Sequence, residues 1–312
     1  MDLRALLLGL AFAVMWSSAF TSAKFIVADA PPLTALAFRF LISGAIGVAI
    51  ARAMGQSWHL SRAQWRATFV FGLCQNALYL GLNFVAMRTI DAGLASIIAS
   101  TMPLLVALAG WLALGERLRP LGIAGLLAGL TGVTLIMGTR ISGGVDMIGL
   151  SYCIAGVLAL TVATLSLRGA SSGGNVLMVV GLQMLVGAAI LGVAGAALEP
   201  WDVDWSASLL IAFAYTTLVP GLLATFAWFT LVRRIGPVRA ATFHFLNPFL
   251  GVAIAAIVLG EALGLFDLIG VAIIMAGIFA VQFSKAPPPE NSAVCDDGSA
   301  CATGRSCQND VG

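Results

Sequence analysis

Two segments of the chain decide its fold, because the second repeats the first 145 positions later, so that residue 103 corresponds to residue 248. Residues 103–118 read PLLVALAGWLALGERL, and residues 248–263 read PFLGVAIAAIVLGEAL. Chance matches are easy in apolar sequence, so the shared leading proline and the shared Gly-Glu pair carry most of the evidence. Two glycine pairs also match at this offset: Gly125 with Gly270, and Gly132 with Gly277. The chain therefore contains two copies of one structural unit.

Composition indicates which solvent surrounds this fold. The 312 residues are 60% hydrophobic and 10% charged, and the mean hydropathy is +1.01. Soluble domains carry about 25% charged residues, so a water-soluble fold of this length would lack the charges to cover its surface. We therefore expect a membrane protein. The net charge of +2 gives no indication of a nucleic-acid partner, and none is predicted.

Apolar stretches of about 20 residues, long enough to cross a bilayer, recur along the chain. Ten spans are predicted, at 5–28, 33–53, 66–87, 92–114, 120–139, 148–168, 175–198, 207–232, 238–259 and 264–284. The first begins like a signal peptide, but its apolar run is too long for one, so we expect a retained helix. The sequence thus predicts an all-α polytopic membrane protein with ten transmembrane helices.

The placement of positive charge predicts the orientation of the chain. With a cytoplasmic N-terminus, 12 of the 16 Lys and Arg residues fall in cytoplasmic segments, and only Arg88 and Arg140 fall outside. The remaining two, Lys24 and Arg39, lie within spans. This bias follows the positive-inside rule and predicts that both termini are cytoplasmic. Each copy of the repeat holds five spans, an odd number, so the second copy must enter the membrane inverted.

Three regions follow from the repeat and the spans. Residues 1–139 are predicted to form the first five-helix repeat, residues 140–284 the second, inverted repeat, and residues 285–312 a disordered cytoplasmic tail. Inverted repeats are an architecture of secondary transporters, which bind substrate between the repeats near the bilayer midplane. The tail holds three of the five cysteines, and no histidine lies near them to indicate a zinc site.

Short motifs in a fixed order resemble a known family. They are Trp16-Ser17-Ser18-Ala19-Phe20 followed by Lys24, Ala37-Phe38-Arg39-Phe40, Met102-Pro103 followed by Gly115-Glu116-Arg117-Leu118, and Asn247-Pro248 followed by Gly260-Glu261. Over residues 5–284 the chain resembles an EamA-type member of the drug/metabolite transporter superfamily, most like the amino-acid exporters of bacterial inner membranes. The resemblance implies a central cavity lined mainly by helices 1, 3, 4, 6, 8 and 9, peripheral helices 5 and 10, and export of amino acids or related metabolites.

Polar and aromatic side chains within the spans are candidates for substrate contact, because polar groups inside a bilayer are costly and usually face a cavity or another helix. The predicted substrate-binding residues are Trp16, Asn76, Tyr79, Asn83, Ser100, Tyr215, Phe243, His244 and Asn247. Amides and hydroxyls suit the charged ends of an amino acid, and aromatic rings suit its side chain. For each residue the alternative is interhelical hydrogen bonding or packing.

Three prolines and two cations within the spans allow either a mobile or a static role. Pro103, Pro220 and Pro248 are predicted to be hinges or fixed kinks, since proline removes a backbone donor. Lys24 and Arg39 are predicted to guide a substrate carboxylate on its way out. The alternatives for these two cations are pairing with helix-end carbonyls or a nearby carboxylate, and snorkelling toward the membrane interface.

Other residues indicate packing rather than substrate contact. Glu116 and Glu261 lie at span ends, where we expect each to stabilise the N-terminus of the helix that follows. Four glycines crowd one side of span five and predict a close helix contact, either within the chain or in a dimer. These glycines are Gly122, Gly125, Gly129 and Gly132.

The source of energy follows from the titratable groups. No Asp or Glu lies in the middle of a predicted span, and His244 is the only intramembrane group that titrates near neutral pH. We therefore expect a facilitator, or weak proton coupling through His244, with sodium coupling as an open alternative. No ATP-binding loop, metal site or cofactor motif is present, so neither a pump nor an enzyme is expected. Sugars, nucleobases and drugs remain alternative substrates, and a monomer is expected with a dimer as the alternative.

Overall fold

The computed structural model describes residues 3–115, 119–166, 175–235, 240 and 242–284. The tail from residue 285, with Cys295, Cys301 and Cys307, lies outside the described residues, and so does Glu116. What the sequence predicts for these residues stays a prediction.

Every regular element in the described part of the chain is a helix. Six are continuous: α1 (Leu3–Asp29), α2 (Pro32–Ala53), α5 (Pro120–Ser142), α6 (Met147–Ser166), α7 (Val176–Leu198) and α10 (Leu265–Ser284). Helix α3 consists of Arg62–Phe71, the π-helical Gly72–Leu80, and Gly81–Ala86; α4 consists of α4a (Ala92–Ser100) and α4b (Met102–Leu114). Helix α8 consists of Ala207–Thr216, the π-helical Thr217–Leu223, and Ala224–Ile235; α9 consists of the 3₁₀ segment Thr242–Leu246 and Asn247–Leu259.

Nine helical segments of the described chain are long and apolar enough to cross a membrane. A tenth apolar segment, Phe243–Leu259, is shorter, and the predicted span 238–259 begins in residues that the structure does not describe. The helix bounds agree with the predicted spans to within a few residues. The described chain is therefore all-helical, as expected of a polytopic membrane protein, and nine of its helical segments correspond to predicted spans.

Local sequence determines where several helices begin and end. Proline occupies the first helical position of α2 and α5, where no N–H donor is needed. Ser61 and Gln64 form a capping box at the start of α3. Gly115 and Gly260 end α4b and α9 with φ angles of 65° and 69°, a left-handed conformation that glycine adopts without steric cost. The glycine of the repeated Gly-Glu pair is thus a helix terminator in both copies.

Helices α5 and α10 pack antiparallel along their length. A Cβ added at Gly125 would lie 2.7 Å from the backbone oxygen of Gly277, and one added at Gly132 would lie 2.7 Å from that of Gly270. These distances leave no room for a side chain, so the two backbones touch. The close contact predicted from the glycines of span five therefore forms within the chain.

Helices α2 and α7 form a second antiparallel pair. Their glycines Gly44 and Gly181 face each other's backbone closely. At one end of the pair the carboxylate of Glu199 accepts hydrogen bonds from two amides in the first turn of α2, at 2.9 Å each. At the other end Gln56 Oε1 accepts from an amide of α7 at 3.0 Å. The pair is therefore tied at both ends, as expected of a static scaffold.

The remaining helices surround the centre in two matching sets. Helix α1 packs on α8 and α9, and α6 packs on α3 and α4. At the sequence offset of 145 residues, α6 is the counterpart of α1, and α8 and α9 are the counterparts of α3 and α4. The contacts of α1 with α8 and α9 therefore correspond to those of α6 with α3 and α4.

The helix ends form two faces of opposite charge. The acidic face carries Asp29, Asp91, Asp146, Glu199, Asp202, Asp204, Glu261 and Asp267, together with Arg88 and Arg140. The basic face carries Arg4, Arg52, Arg62, Arg66, Arg119 and Arg234, and no acidic residue among those described. On the acidic face, Arg140 pairs with Asp267 at 2.8 Å and with Asp91 at 3.3 Å.

Candidate functional site

A cavity of about 560 Å³ lies between the helices. The described residues that line it belong to α1, α2, α3, α4, α6, α7, α8 and α9, and none belongs to α5 or α10. The family resemblance implies the same peripheral pair, whereas α2 and α7 are additions to the expected lining. The wall reaches Gln64 and Val176, in the first turns of α3 and α7 at the basic face, but includes no acidic-face loop. Within the described residues, the cavity therefore extends to the basic face and is closed toward the acidic face.

Nine of the residues singled out in the sequence line this cavity. They are Trp16, Arg39, Asn76, Tyr79, Ser100, Pro103, Pro220, His244 and Asn247. Asn76 also donates to the backbone oxygen of Gln183 at 2.8 Å, which ties α3 to α7. Ser100 donates to the carbonyl of Ser96 in its own helix at 2.7 Å. The fold gathers these side chains from both halves of the chain.

Asn83, predicted to contact substrate, lies outside the described wall. Its Nδ2 donates to the carbonyl of Tyr79 at 2.8 Å, and the side chain is buried against α6. The prediction assumed α-helical spacing from Asn76, but Gly72–Leu80 forms a π-helix, which has more residues per turn. The polar face of α3 that meets the cavity therefore ends before residue 83.

Tyr215 and Phe243 also lie away from the cavity. Tyr215 is 38% exposed on the protein surface, and its hydroxyl lies 2.9 Å from Ser18 Oγ. Phe243 is buried in a side cluster, where its ring packs on Gly9 of α1. Their position within a span was predicted from composition, but the direction of each side chain depends on how the helices pack.

The three prolines mark departures from regular α-helix. Pro103 is the second residue of α4b, directly after the break between α4a and α4b at Thr101. Pro248 is the second residue of the α-helical part of α9, after its 3₁₀ segment, and lies outside the wall. Pro220 lies inside the π-helical part of α8. All three positions are therefore kinks or junctions, and movement about them stays a prediction.

Lys24 lies outside the described wall, close to the acidic face. Its Nζ donates to the carbonyls of Met87 and Ile90 at 2.7 and 2.9 Å, at the end of α3. A cation at a helix C-terminus satisfies carbonyls that have no intrahelical partner. The structure thus supports the alternative of pairing with helix-end carbonyls.

An aromatic cluster surrounds the imidazole of His244 at the cavity wall. The ring centroids of Trp228, Phe12 and Trp16 lie 4.9, 5.1 and 6.0 Å from that of His244, with edge-to-face geometry. Such contacts combine apolar area with a favourable ring quadrupole. This part of the wall suits an apolar or aromatic ligand group.

The imidazole of His244 is oriented by a short polar chain. Ser17 Oγ donates to Asn247 Oδ1 at 3.3 Å, and Asn247 Nδ2 lies 3.0 Å from His244 Nδ1. With this amide as the donor, Nδ1 accepts and a neutral ring carries its proton on Nε2. The arrangement joins α1 to α9 and leaves the second ring nitrogen as a hydrogen-bond donor.

Sequence reasoning missed several residues of the wall, notably Phe12, Gln183 and Trp228. Gln183 had a detectable signal, because it is the only amide side chain in the otherwise apolar α7 and is buried. A polar residue isolated in a membrane helix usually faces a cavity or a partner. Phe12 and Trp228 had no such signal, since aromatic side chains in a membrane helix also face lipid.

Helices α4a and α9 close the cavity toward the acidic face. A Cβ added at Gly251 of α9 would lie 1.9 Å from the Oγ of Ser96 in α4a, so the Ser96 side chain packs directly against the backbone of α9. The carboxylate of Glu261 accepts from the amides of Ala92 and Gly93 at 2.7 and 2.9 Å. The sequence predicted that Glu261 would stabilise the N-terminus of the helix that follows it, whereas in the structure it stabilises the N-terminus of α4a.

A polytopic helical protein with a central cavity that is open to one face only has the architecture of a membrane transporter. The model of the family described as "EamA-like transporter family" matches residues 3–138 and again residues 147–283. The chain therefore belongs to the EamA-like transporter family, as its motifs predicted.

Three relatives are transporters or exporters by name. The chain is 26% identical to the uncharacterized transporter YvbV of Bacillus subtilis, over 86% of this chain and 88% of YvbV. It is 25% identical to the uncharacterized inner membrane transporter YedA of Escherichia coli K12, over 87% and 88% of the two chains. The aromatic amino acid exporter YddG of Ancylobacter novellus is 32% identical, but over 45% of this chain and 48% of YddG.

A solved crystal structure shares the fold. It is 22% identical in sequence, has a TM-score of 0.63, and the match covers 90% of this chain and 98% of that chain. At this identity the likeness concerns the fold alone.

Proposed function

We propose that this protein is a secondary transporter that exports neutral amino acids, aromatic and aliphatic, across the bacterial inner membrane by alternating access. The observation that carries this proposal is the cavity of about 560 Å³, closed at the acidic face and walled by aromatic and amide side chains. Small-molecule sites typically have volumes of roughly 300–1,000 Å³. The likeness to an aromatic amino acid exporter over part of the chain supports the same substrate class.

The described wall suits a zwitterion with an apolar side chain. Trp16 and Trp228 offer ring surfaces, while Asn76 and Tyr79 offer hydrogen-bonding groups deeper in the cavity. Among the described lining residues, Arg39 is the only charged one. A phosphorylated sugar would require clustered cations, and a cationic drug would require a carboxylate. An uncharged or zwitterionic solute therefore fits best.

The topology proposed for transport is two inverted five-helix repeats, residues 1–139 and 140–284. Three observations support it: the family matches twice along the chain, the counterpart helices α5 and α10 pack antiparallel, and the contacts of α1 match those of α6. The basic face is proposed to be cytoplasmic, with both termini on that side. The cavity then faces the cytoplasm, as an exporter requires for loading.

Flux in liposomes tests the proposal. Purified protein is reconstituted, and uptake of labelled Phe, Leu, Met, Thr and Glu is measured with and without a pH gradient against empty liposomes. Uptake of several neutral amino acids above the empty-liposome level is expected. Flux of none of them would refute the substrate class and direct the search to sugars, nucleobases and drugs.

The same assay tests proton coupling through His244. The His244→Ala variant is compared with His59→Ala, which removes the only other histidine, an exposed residue that is not part of the wall. If a pH gradient accelerates wild-type flux, His244→Ala should abolish the acceleration and His59→Ala should keep it. An unchanged response in both variants would exclude His244 as the coupling group.

A further inference from the structure

Arg39 is a buried cation in the cavity wall with no anionic partner among the described residues. Its side chain lies on α2 and the residue is 7% exposed. Within the described part of the chain its one hydrogen bond runs from Nε to the backbone oxygen of Thr216, at 3.3 Å. The guanidinium carbon lies 5.2 Å from the centre of the Phe40 ring. A buried charge of this kind is costly unless it is paired and hydrogen-bonded.

A proline in α8 explains how Arg39 is held. Pro220 has no N–H, so the carbonyl of Thr216, four residues earlier, has no α-helical donor there. Residues Thr217–Leu223 adopt the π-helical form at this point. The second lone pair of the Thr216 carbonyl accepts from Arg39 Nε. This bond fixes the guanidinium plane and leaves its four remaining N–H donors, on Nη1 and Nη2, for another acceptor.

A small space next to this guanidinium is bordered by a second donor. The position that a Cβ would take at Gly221 lies 3.2 Å from the backbone oxygen of Thr216, 3.6 Å from Ser43 Oγ and 3.7 Å from Arg39 Nη2. Gly221 and Arg39 both line the cavity. Ser43 Oγ is buried and has no hydrogen-bond partner. A cation and an unpartnered hydroxyl therefore face the same space, which exists because residue 221 has no side chain.

We propose that Arg39, Ser43 and the space at Gly221 form a subsite for the carboxylate of the transported solute. This inference rests on the proposed amino-acid transport and deepens it, because it makes the carboxylate the group that every substrate must carry. A carboxylate takes two parallel N–H bonds from a guanidinium, and a hydroxyl donates one more. One arginine matches the single charge of a carboxylate. The variable side chain then extends toward the aromatic cluster around His244.

Binding of four matched compounds tests the subsite. Calorimetric titration of the purified protein compares L-phenylalanine and 3-phenylpropionate, which have a carboxylate, with phenylalaninamide and phenethylamine, which have none. The two carboxylates are expected to bind at least tenfold more tightly than the two compounds without one. Equal affinity of phenylalanine and its amide would overturn the proposal.

Variants locate the effect at Arg39. Arg39→Gln should weaken phenylalanine binding at least tenfold and leave the amide unchanged, and Arg39→Lys should recover part of the loss. The matched control is Arg52→Gln, since Arg52 lies at the basic face over Trp58 and outside the cavity wall. An Arg39→Gln protein that keeps the wild-type elution volume and binds phenylalanine normally would refute the subsite.

Two milder variants keep the test valid if Arg39→Gln does not fold. Ser43→Ala removes a hydroxyl that has no partner, so it should leave thermal stability unchanged or higher and still weaken carboxylate binding severalfold. Gly221→Ala retains the cation but fills the space, and should weaken carboxylates more than the amide. If both variants bind phenylalanine as the wild type does, the subsite is refuted.

The outcomes separate this proposal from the proposed function. If amino acids are neither bound nor transported, but 3-phenylpropionate binds in a way that depends on Arg39, the amino-acid assignment fails and the carboxylate subsite stands. If amino acids are transported and their amides are transported equally well, the subsite fails and the amino-acid assignment stands.

Discussion

Replacing Gly251 by alanine should open the cavity toward the acidic face. In the closed arrangement the new Cβ would lie 1.9 Å from Ser96 Oγ and 2.6 Å from Ser96 Cβ, far inside van der Waals contact. Helices α4a and α9 would have to separate to accommodate it. In the proposed alternating-access cycle, the arrangement open to the acidic face would lack this contact, so the substitution should penalise one state and not the other.

The magnitude follows from the cost of overpacking. One extra methyl group in a tightly packed contact costs about 1–3 kcal/mol. A penalty of about 1–3 kcal/mol on one of two states changes their ratio roughly 5- to 150-fold. The upper part of this range is expected for Gly251→Ala, because the Cβ meets both side-chain atoms of Ser96.

Thiol labelling measures the change. Ala255 is fully buried and faces Gly93 across the same contact, so Ala255→Cys, in a background without the five native cysteines, reports on separation. A membrane-impermeant maleimide added to the acidic-face side should label this cysteine at least fivefold faster when Gly251→Ala is present.

Two further variants define the result that would refute this reasoning. Gly138→Ala introduces the same methyl group where nothing lies within 4 Å and should leave the labelling rate unchanged. Adding Ser96→Gly to Gly251→Ala removes both clashing atoms and should restore the slow rate. Equal labelling rates with and without Gly251→Ala would show that α4a and α9 do not form the closure.

Three other predictions concern stability. Gly277→Ala should lower the midpoint of thermal unfolding in detergent more than Gly138→Ala, because its Cβ would lie 2.6 Å from a backbone oxygen of α5, at a cost of about 1–3 kcal/mol; equal midpoints would contradict the backbone contact. Lys24→Met should lower the same midpoint, since two carbonyls lose their donor, and leave KM for phenylalanine unchanged; a raised KM at full stability would place Lys24 in the substrate path. The pKa of Asp146 lies below its usual value because the Thr89 hydroxyl and two backbone amides of α6 donate hydrogen bonds to its carboxylate. These bonds therefore stabilise the fold above the unfolded pKa of about 3.9, and this stabilisation is lost as the pH falls through the lower folded pKa. Wild type and Thr89→Val should therefore differ in midpoint at about pH 6 and converge in acid; a constant difference would contradict the shift.

The helices could be predicted from the sequence because lipid imposes a simple rule on length and composition. Their ends followed from Pro and Gly, as at Gly115 and Gly260, where a backbone requirement is local and visible. The glycines on one side of span five likewise predicted that α5 would make a close contact. In these cases the sequence pattern that predicts the feature lies within a short segment of the chain.

The remaining features depend on tertiary packing. Asn83 lies outside the cavity wall because the π-helical part of α3 changes the number of residues per turn between Asn76 and Asn83. No residue within that part predicts a π-helix from the sequence alone. Lys24 and Arg39 were equivalent in the sequence, yet one stabilises a helix end and the other lines the cavity. The difference lies in which carbonyls the neighbouring helices bring within reach, and that depends on contacts between residues far apart in the chain.

The contact between α5 and α10 has the geometry of a symmetric dimer. Gly125 meets Gly277 and Gly132 meets Gly270, while the sequence offset pairs Gly125 with Gly270 and Gly132 with Gly277. If each glycine is replaced by its counterpart in the other repeat, the contact between Gly125 and Gly277 becomes the contact between Gly270 and Gly132. An isologous interface between two identical subunits has the same property, because residue i contacts residue j and residue j contacts residue i. In a dimer of identical subunits, one mutation changes both sides of such an interface, because both sides have the same sequence. Because this chain encodes the two sides separately, each can change alone, and the two faces of the membrane protein are free to diverge in charge.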